Sequence, residues 1–363
     1  MVIFDFMKSI LLAAINMLNG ASPWLIFSFA IAGLLRDLLS PEKFHRALGN
    51  TKISSLLKVT ISGMFLPICS CGTIPLGISM YYSGAYLGPV LAFMTSTPII
   101  NPCAVILSYG LLGKEITIIY LIVGFTLPII IGIIANKFGR DELKMPGVEE
   151  QIVSMTIEDD ITLWEKVRSG MIWAFNDLAL IVSRYVMMGM ILGGFIVTAF
   201  PDTFIQRYLG NPSMLSLGNI AILATVMYVC AVGHIPFIAA LVASGAAPGV
   251  AITFLMAGAA TNFPELISIY KVIGKRAAIM YGAIVATAAL FVGALTNKIL
   301  MPGFEPVINF NTIDKSIESA NKLIFAAPEP LKYLCSAIIF VLFLKSVIPD
   351  VKEELKKMKS KEV

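Results

Sequence analysis

The chain has 363 residues, 57% of them hydrophobic and 14% charged, with a formal net charge of +4. Soluble domains average about 45–50% apolar and about 25% charged residues, so a soluble enzyme or binding module is excluded and this much apolar surface calls for lipid. The basic residues sit at segment ends, not along one face, which excludes a nucleic-acid surface, and five cysteines in apolar segments exclude the even disulfide framework of a small secreted domain.

A transmembrane helix needs about 20 apolar residues to cross about 30 Å of hydrocarbon. Residues 1–20 are amphipathic, with Asp5 ahead of Lys8. A cleaved leader opens on a basic stretch, so this segment reads as a retained interfacial or spanning helix. Residues 22–39 form the first full span, followed by a basic loop with Lys43, Arg46, Lys52 and Lys58. Residues 53–68 run into Cys69-Ser-Cys71-Gly72, and three further apolar stretches, 74–83, 86–97 and 99–112, are each too short to cross alone. Residues 116–136 span again. A charged stretch, 137–169, separates them from the span 185–200. Short apolar segments then recur at 220–229, 235–244, 249–258 and 263–273, before a span at 277–295. The polar stretch 302–330, the span 331–348 and a Lys-rich tail close the chain.

The second series of segments repeats the first. A displacement of 161 positions carries Cys69-Ser-Cys71-Gly72-Thr-Ile-Pro75 onto Cys230-Ala-Val232-Gly233-His234-Ile-Pro236. The same displacement carries Ser83-Gly84-Ala85 onto Ser244-Gly245-Ala246, Asn101 onto Asn262, and Asn136-Lys137 onto Asn297-Lys298. The matches fall on Gly, Pro, Asn, Ser and Cys, which two unrelated hydrophobic stretches would not share. Transporters are commonly built this way. Charge gives the orientation. The loop with Lys43, Arg46, Lys52 and Lys58 has a weakly charged counterpart at Asp202 and Arg207, whereas the neutral turn Gly113-Lys114-Glu115 has a basic counterpart at Lys271, Lys275 and Arg276. Because cytoplasmic loops are the basic ones, the halves are expected to lie in opposite orientations. The expected division is residues 1–137 for the N-terminal helix and first repeat, 138–182 for a cytoplasmic linker, 183–298 for the second repeat, 299–330 for an external loop, and 331–363 for a final helix with a cytoplasmic tail.

Gly and Pro interrupt the helices at matching places: Pro67–Gly72 with Pro75, 97–102, and their counterparts 233–236 and 258–264. Backbone left unsatisfied in lipid costs several kcal/mol, so such breaks persist only inside protein or around a wet cavity, where broken helices hold solutes near the midplane. Tight helix packing through small residues is the plainer reading of any single Gly. Cys69 and Cys71 at a break can aim two soft thiolates at one ion. Cys230 is the counterpart of Cys69, and Cys103 follows Asn101-Pro102. A buried Cys is otherwise a small hydrophobe, the reading preferred for Cys335. His234 is a candidate ligand or proton carrier, or a ring bonded to a nearby carbonyl. Glu265 follows Asn262-Phe-Pro264 and either exchanges protons or caps the next half-helix. Asn101 and Asn262 are expected to line the cavity or cap the broken helices.

At Pro67-Ile-Cys69-Ser-Cys71-Gly72-Thr-Ile-Pro75, Ser83-Gly84-Ala85 and Thr95-Ser-Thr97-Pro98-Ile-Ile-Asn101-Pro102, the chain resembles the predicted permease family that includes the organoarsenical efflux permeases and relatives described as copper or zinc exporters. The resemblance covers roughly residues 22–348. It implies a multi-pass inner-membrane exporter whose Cys69 and Cys71 serve the substrate. The second half has Val232 where the first has Cys71, so a symmetrical four-thiolate site is not expected.

The expected fold is therefore an all-α polytopic membrane protein of two inverted-topology repeats with broken helices plus a C-terminal transmembrane helix. The expected function is export of a thiophilic substrate, a trivalent organoarsenical or a soft metal ion such as Cu or Zn, by alternating access. Cys69, Cys71, Cys230 and His234 would hold any metal, Asn101, Asn262 and Cys103 would add to the substrate site, and Glu265 or His234 would carry a coupling proton. No Walker-type loop is present to couple ATP. No cofactor is expected, the partners are the solute and the bilayer, and a homo-oligomer is left open. Two other readings stay open: a membrane thiol oxidoreductase cycling Cys69 and Cys71, although Cys-x-x-Cys is the commoner redox spacing, and a carrier or channel for an unrelated solute with structural cysteines.

Overall fold

Helices satisfy their backbone polar groups within one segment, which is what a chain in lipid requires. The computed structural model describes residues 2–38, 47–66, 70–146, 162–199, 212–227, 230–243, 245–301 and 328–359. No strand occurs among the described residues. The helices are α1 (Val2–Leu38), α2 (Ile53–Met64), α3 (Ser70–Tyr82), α4 (Leu87–Ile99), α5 (Pro102–Leu111), α6 (Lys114–Phe138) and α7 (Leu163–Trp173), followed by α8 (Ala179–Ala199), α9 (Met214–Val226), α10 (Ala231–Ala243), α11 (Pro248–Ala260), α12 (Phe263–Val272), α13 (Lys275–Leu300) and α14 (Glu329–Lys359). Among the described residues, six segments are long and apolar enough to cross a membrane, and α4 with α5, bent by 41°, makes a seventh if counted as one span. The chain is an all-α, multi-pass membrane protein.

Two helix boundaries differ from the sequence reading. Residues 1–20 and 22–39 were expected as separate segments, but α1 is one helix of 37 residues with Pro23 inside it. A proline inside a membrane helix is tolerated when neighbouring groups cover the disturbed backbone. Here α14 lies alongside: the Ser22 hydroxyl stands 2.9 Å from that of Ser336 and donates to the Lys332 carbonyl at 3.2 Å, and Ser336 donates to Asn19 Oδ1 at 2.7 Å. The helix that carries Tyr185 begins well ahead of it, at Leu163, where Thr162 and Glu165 form a reciprocal capping box. A π-helical turn at Ala174–Leu178 joins α7 to α8. Both pack on α1, close enough that a Cβ on Gly33 would lie 2.6 Å from the Gly170 carbonyl.

The 161-residue displacement reappears in the element boundaries. Ile53 and Met214 open α2 and α9, Ser70 and Ala231 open α3 and α10, Leu87 and Pro248 open α4 and α11, Pro102 and Phe263 open α5 and α12, and Lys114 and Lys275 open α6 and α13. Side-chain anchors repeat as well. Gly88 N donates to Asn136 Oδ1 at 3.1 Å, and Gly249 N donates to Asn297 Oδ1 at 2.7 Å. Gly84 and Gly245 end the third helix of each half in the left-handed region, at φ of 92° and 100°, where a residue with a side chain is strained.

The middle of the molecule is the pair α4 and α11, which touch each other and whose every residue is buried. Around them the halves interlock: α3 packs on α12, α10 on α5, and α6 on α13. The last pair is antiparallel at its seam. Glu142, just past the end of α6, accepts from Arg276 N at 3.0 Å and Ala277 N at 2.5 Å at the start of α13. A carboxylate on the free N–H groups of a helix start is a favourable pairing. At this seam α6 and α13 run in opposite directions.

Candidate functional site

Each broken hairpin turns at an asparagine followed closely by proline. Proline forces the residue before it toward extended backbone, as at Asn101, and it fits the first turn of a helix, where its missing N–H is not needed, as at Pro102 and Pro264. Asn101 sits at φ −79°, ψ 153° and Asn262 at φ −99°, ψ 159°. Their side chains cap the following helices, Asn101 Oδ1 accepting from Ala104 N at 2.8 Å and Asn262 Oδ1 from Glu265 N at 3.0 Å. Of the two roles open to these residues in the sequence, capping is the one observed.

Glu265 lies in the first turn of α12 with no exposed surface. Asn262 Nδ2 donates to its Oε2 at 3.4 Å, and its Oε1 is 3.4 Å from the Tyr281 hydroxyl of α13. That hydroxyl has one proton and gives it to the Ala260 carbonyl at 2.6 Å. Thr95, in α4 of the other half, reaches the same hydroxyl at 3.4 Å while donating to Leu91 O at 2.7 Å. Contacts of 3.4 Å are long for hydrogen bonds, so the carboxyl is loosely held, and among the described residues no basic side chain pairs with it. The cluster joins Thr95 of the first half to Asn262, Glu265 and Tyr281 of the second.

The first half carries the same scaffold with different contents. Tyr120 matches Tyr281 in register and burial, both at 0% exposure, but Ala104 stands where Glu265 would be. The Tyr120 hydroxyl has no partner among the described residues. Tyr281, Tyr120 and Thr95 were missed in the sequence. The repeat would have found the tyrosines, which match at the displacement of 161 and are both fully buried in spanning helices.

Cys69 lies outside the described residues, as does the side chain of Cys71, whose backbone is in the first turn of α3. Cys230 immediately precedes α10 and is half-buried. His234 Nδ1, one turn on, is 3.0 Å from the Cys230 carbonyl and 3.3 Å from its amide, so that nitrogen is engaged by backbone in either tautomer. Its ring stands 6.0 Å from that of Phe254. Cys103 is buried in the first turn of α5, on which α10 packs. Each half thus sets its cysteine-bearing helix against the asparagine-capped helix of the other. No group of three or more His, Cys, Asp or Glu side chains gathers among the described residues.

Residues 6–298 match a family model described as a predicted permease. Similar proteins include a UPF0718 protein of Methanocaldococcus jannaschii, 24% identical over 76% of this chain and 91% of its own length. The UPF0718 protein YcgR of Bacillus subtilis is 25% identical over 72% of this chain and 88% of its own, and YraQ of Escherichia coli is 21% identical over 74% and 75%. No solved structure matches. With a family match that runs from α1 to the end of α13 over a scaffold of spanning and broken helices, the chain belongs to the predicted permease family and is a membrane permease.

Proposed function

We propose that this permease is an alternating-access exporter in which Glu265 exchanges the coupling proton. One observation carries the reading: a fully buried carboxyl, without a basic partner among the described residues, sits at a helix break beside the Tyr281 hydroxyl, which in turn meets Thr95 of the other half. An ionisable group at such a place in a membrane protein is functional by default. A relative movement of the halves separates Thr95 from Tyr281 and opens the carboxyl to one face or the other. The repeats lie inverted across the inner membrane, a reading favoured by the antiparallel α6 and α13 and by the basic residues near their juxtaposed ends. The division of the chain at 137, 182, 298 and 330, and the cytoplasmic placement of the C-terminus, belong to the same proposal.

The cargo is thiophilic: a trivalent organoarsenical, or a soft ion such as Cu(I) or Zn(II). Cys69 and Cys71 hold it from the first half, and Cys230 and His234 Nε2 from the second, within walls that include Asn101, Asn262 and Cys103. The support is the Cys69-Ser-Cys71 pair in the sequence, the family membership and the softness of thiolates. The test is transport in proteoliposomes under an imposed pH gradient, with methylarsenite, Cu(I) and Zn(II) offered in turn. Uptake of one of them that follows the gradient, and that loses this dependence in Glu265→Gln, is the expected result. Transport indifferent to the gradient in the wild type would sink proton coupling.

A further inference from the structure

The end of α6 and the start of α13 enclose a cleft of about 720 Å³. Its mouth is charged and its floor is apolar. Arg140 follows α6, and Lys275 and Arg276 open α13. Lys275 heads a stripe at helical spacing with Ile279 and Ala283, and Arg276 heads another with Met280 and Ile284. The stretch from Lys275 to Ile284 rises about 13 Å, enough to cross most of one leaflet's hydrocarbon, about 15 Å. Ile134 and Phe138 of α6 form the other wall, and Phe138 and Ile279 are both more than half exposed. Asp141 and Glu142 also stand at the mouth. Glu142 is engaged by Arg276 N and Ala277 N. No ion pair among the described residues takes up Arg140, Lys275 or Arg276, all of them exposed. Lys137 adds a further cation beside the cleft, its Nζ 5.6 Å from the centre of the Phe138 ring.

Basic residues at helix ends would by themselves set only orientation. Here they head an apolar cleft, and the repeat does not reproduce them: the displacement of 161 puts Met301 at the place of Arg140 and Glu115 at that of Arg276. We propose that this cleft binds an anionic phospholipid, its phosphodiester head between Arg140 and the Lys275–Arg276 pair and one hydrocarbon chain along the apolar floor. A soluble anion has no use for the floor, and a zwitterionic head brings its own cation to a mouth already rich in them. Basic pockets between spanning helices on the cytoplasmic side are where such heads dock, and the cytoplasmic leaflet is the anionic one. The basic end of the seam faces that leaflet in the orientation proposed above. The head meets cations from beside both helices, so the lipid bridges α6 and α13 at the seam that Glu142 already closes.

The full-length protein in a neutral detergent tests this, titrated with phosphatidylglycerol, phosphatidylcholine and inorganic phosphate. The readouts are lipid retained in native mass spectrometry and the melting temperature. Phosphatidylglycerol is expected to be retained in preference to phosphatidylcholine and to raise the melting temperature, and inorganic phosphate to leave it unchanged. Arg140→Gln/Arg276→Gln is expected to weaken phosphatidylglycerol binding about tenfold or more, the loss of two cations near a lipid head. Lys114→Gln/Lys298→Gln, which removes two cations from the other ends of the same helices, is expected to leave it unchanged. Ala283→Trp fills the floor with every cation in place and is expected to weaken it as well. Equal retention of the two lipids, or equal loss in the two double variants, overturns the inference. So does a melting shift with inorganic phosphate as large as that with phosphatidylglycerol, which would mark an anion site without a chain. Should Arg140→Gln/Arg276→Gln fail to fold, Ala283→Trp decides alone: unchanged affinity there overturns the lipid site.

Discussion

The Tyr281 hydroxyl donates to the Ala260 carbonyl at 2.6 Å, tying the last turn of α11 to the spanning helix α13. The carbonyl belongs to a helix end, where intrahelical donors run out, and in a buried place it has no water to turn to. Replacing Tyr281 with Phe is expected to cost about 1–3 kcal/mol through the stranded acceptor. A lower melting temperature in detergent, with the helical content retained, is the measurement that checks it.

Glu265→Gln keeps the size of the side chain and its bond partners but cannot exchange a proton. Net transport driven by a pH gradient is expected to disappear in this variant, while exchange of cargo across the membrane at equal pH persists. If both activities vanish together, Glu265 is needed for the binding or the movement itself and not for coupling.

Gly249 passes so close to α13 that an added Cβ would collide with the Gly293 carbonyl and with Asn297. Gly249→Ala must therefore either push the helices apart or break the Gly249–Asn297 bond, and overpacking of this kind typically costs about 1–3 kcal/mol. Gly218, with open space around it, is the control. Yield of folded protein is expected to fall for Gly249→Ala and to stay level for Gly218→Ala.

Because α6 and α13 are antiparallel, their first residues lie at opposite ends of the molecule. Single cysteines at Lys114 and Lys275, both exposed, should react with a membrane-impermeant maleimide from opposite faces of the membrane. A cysteine at Arg140, on the end of α6 that meets the start of α13, should label from the same face as Lys275. Labelling of Lys114 and Lys275 from one face would refute the inverted arrangement.

Much of the scaffold was legible before any coordinates because breaks in membrane helices are written in Gly, Pro and Asn, and two copies of the same breaks stand 161 residues apart. The caps at Asn101 and Asn262 follow from the Asn-Pro and Asn-x-Pro spellings. What the sequence concealed depends on contacts between distant elements. Pro23 reads as a boundary unless Ser22 and Ser336 are known to be neighbours. Glu142 reads as one more charge in a polar stretch until its carboxylate is seen on the amides of Arg276 and Ala277. Tyr281 and Thr95 belong to different halves, and only the fold makes them a pair with Glu265.

The polar chain Asn19–Ser336–Ser22 fastens α14, which belongs to neither copy of the repeat, to α1. Water that would compete for such bonds in solution is absent from hydrocarbon, so the clasp between these two helices is not traded for solvent. The last helix also packs on α8. It is a strap laid across the opening helices of both repeats, bonded to one and leaning on the other.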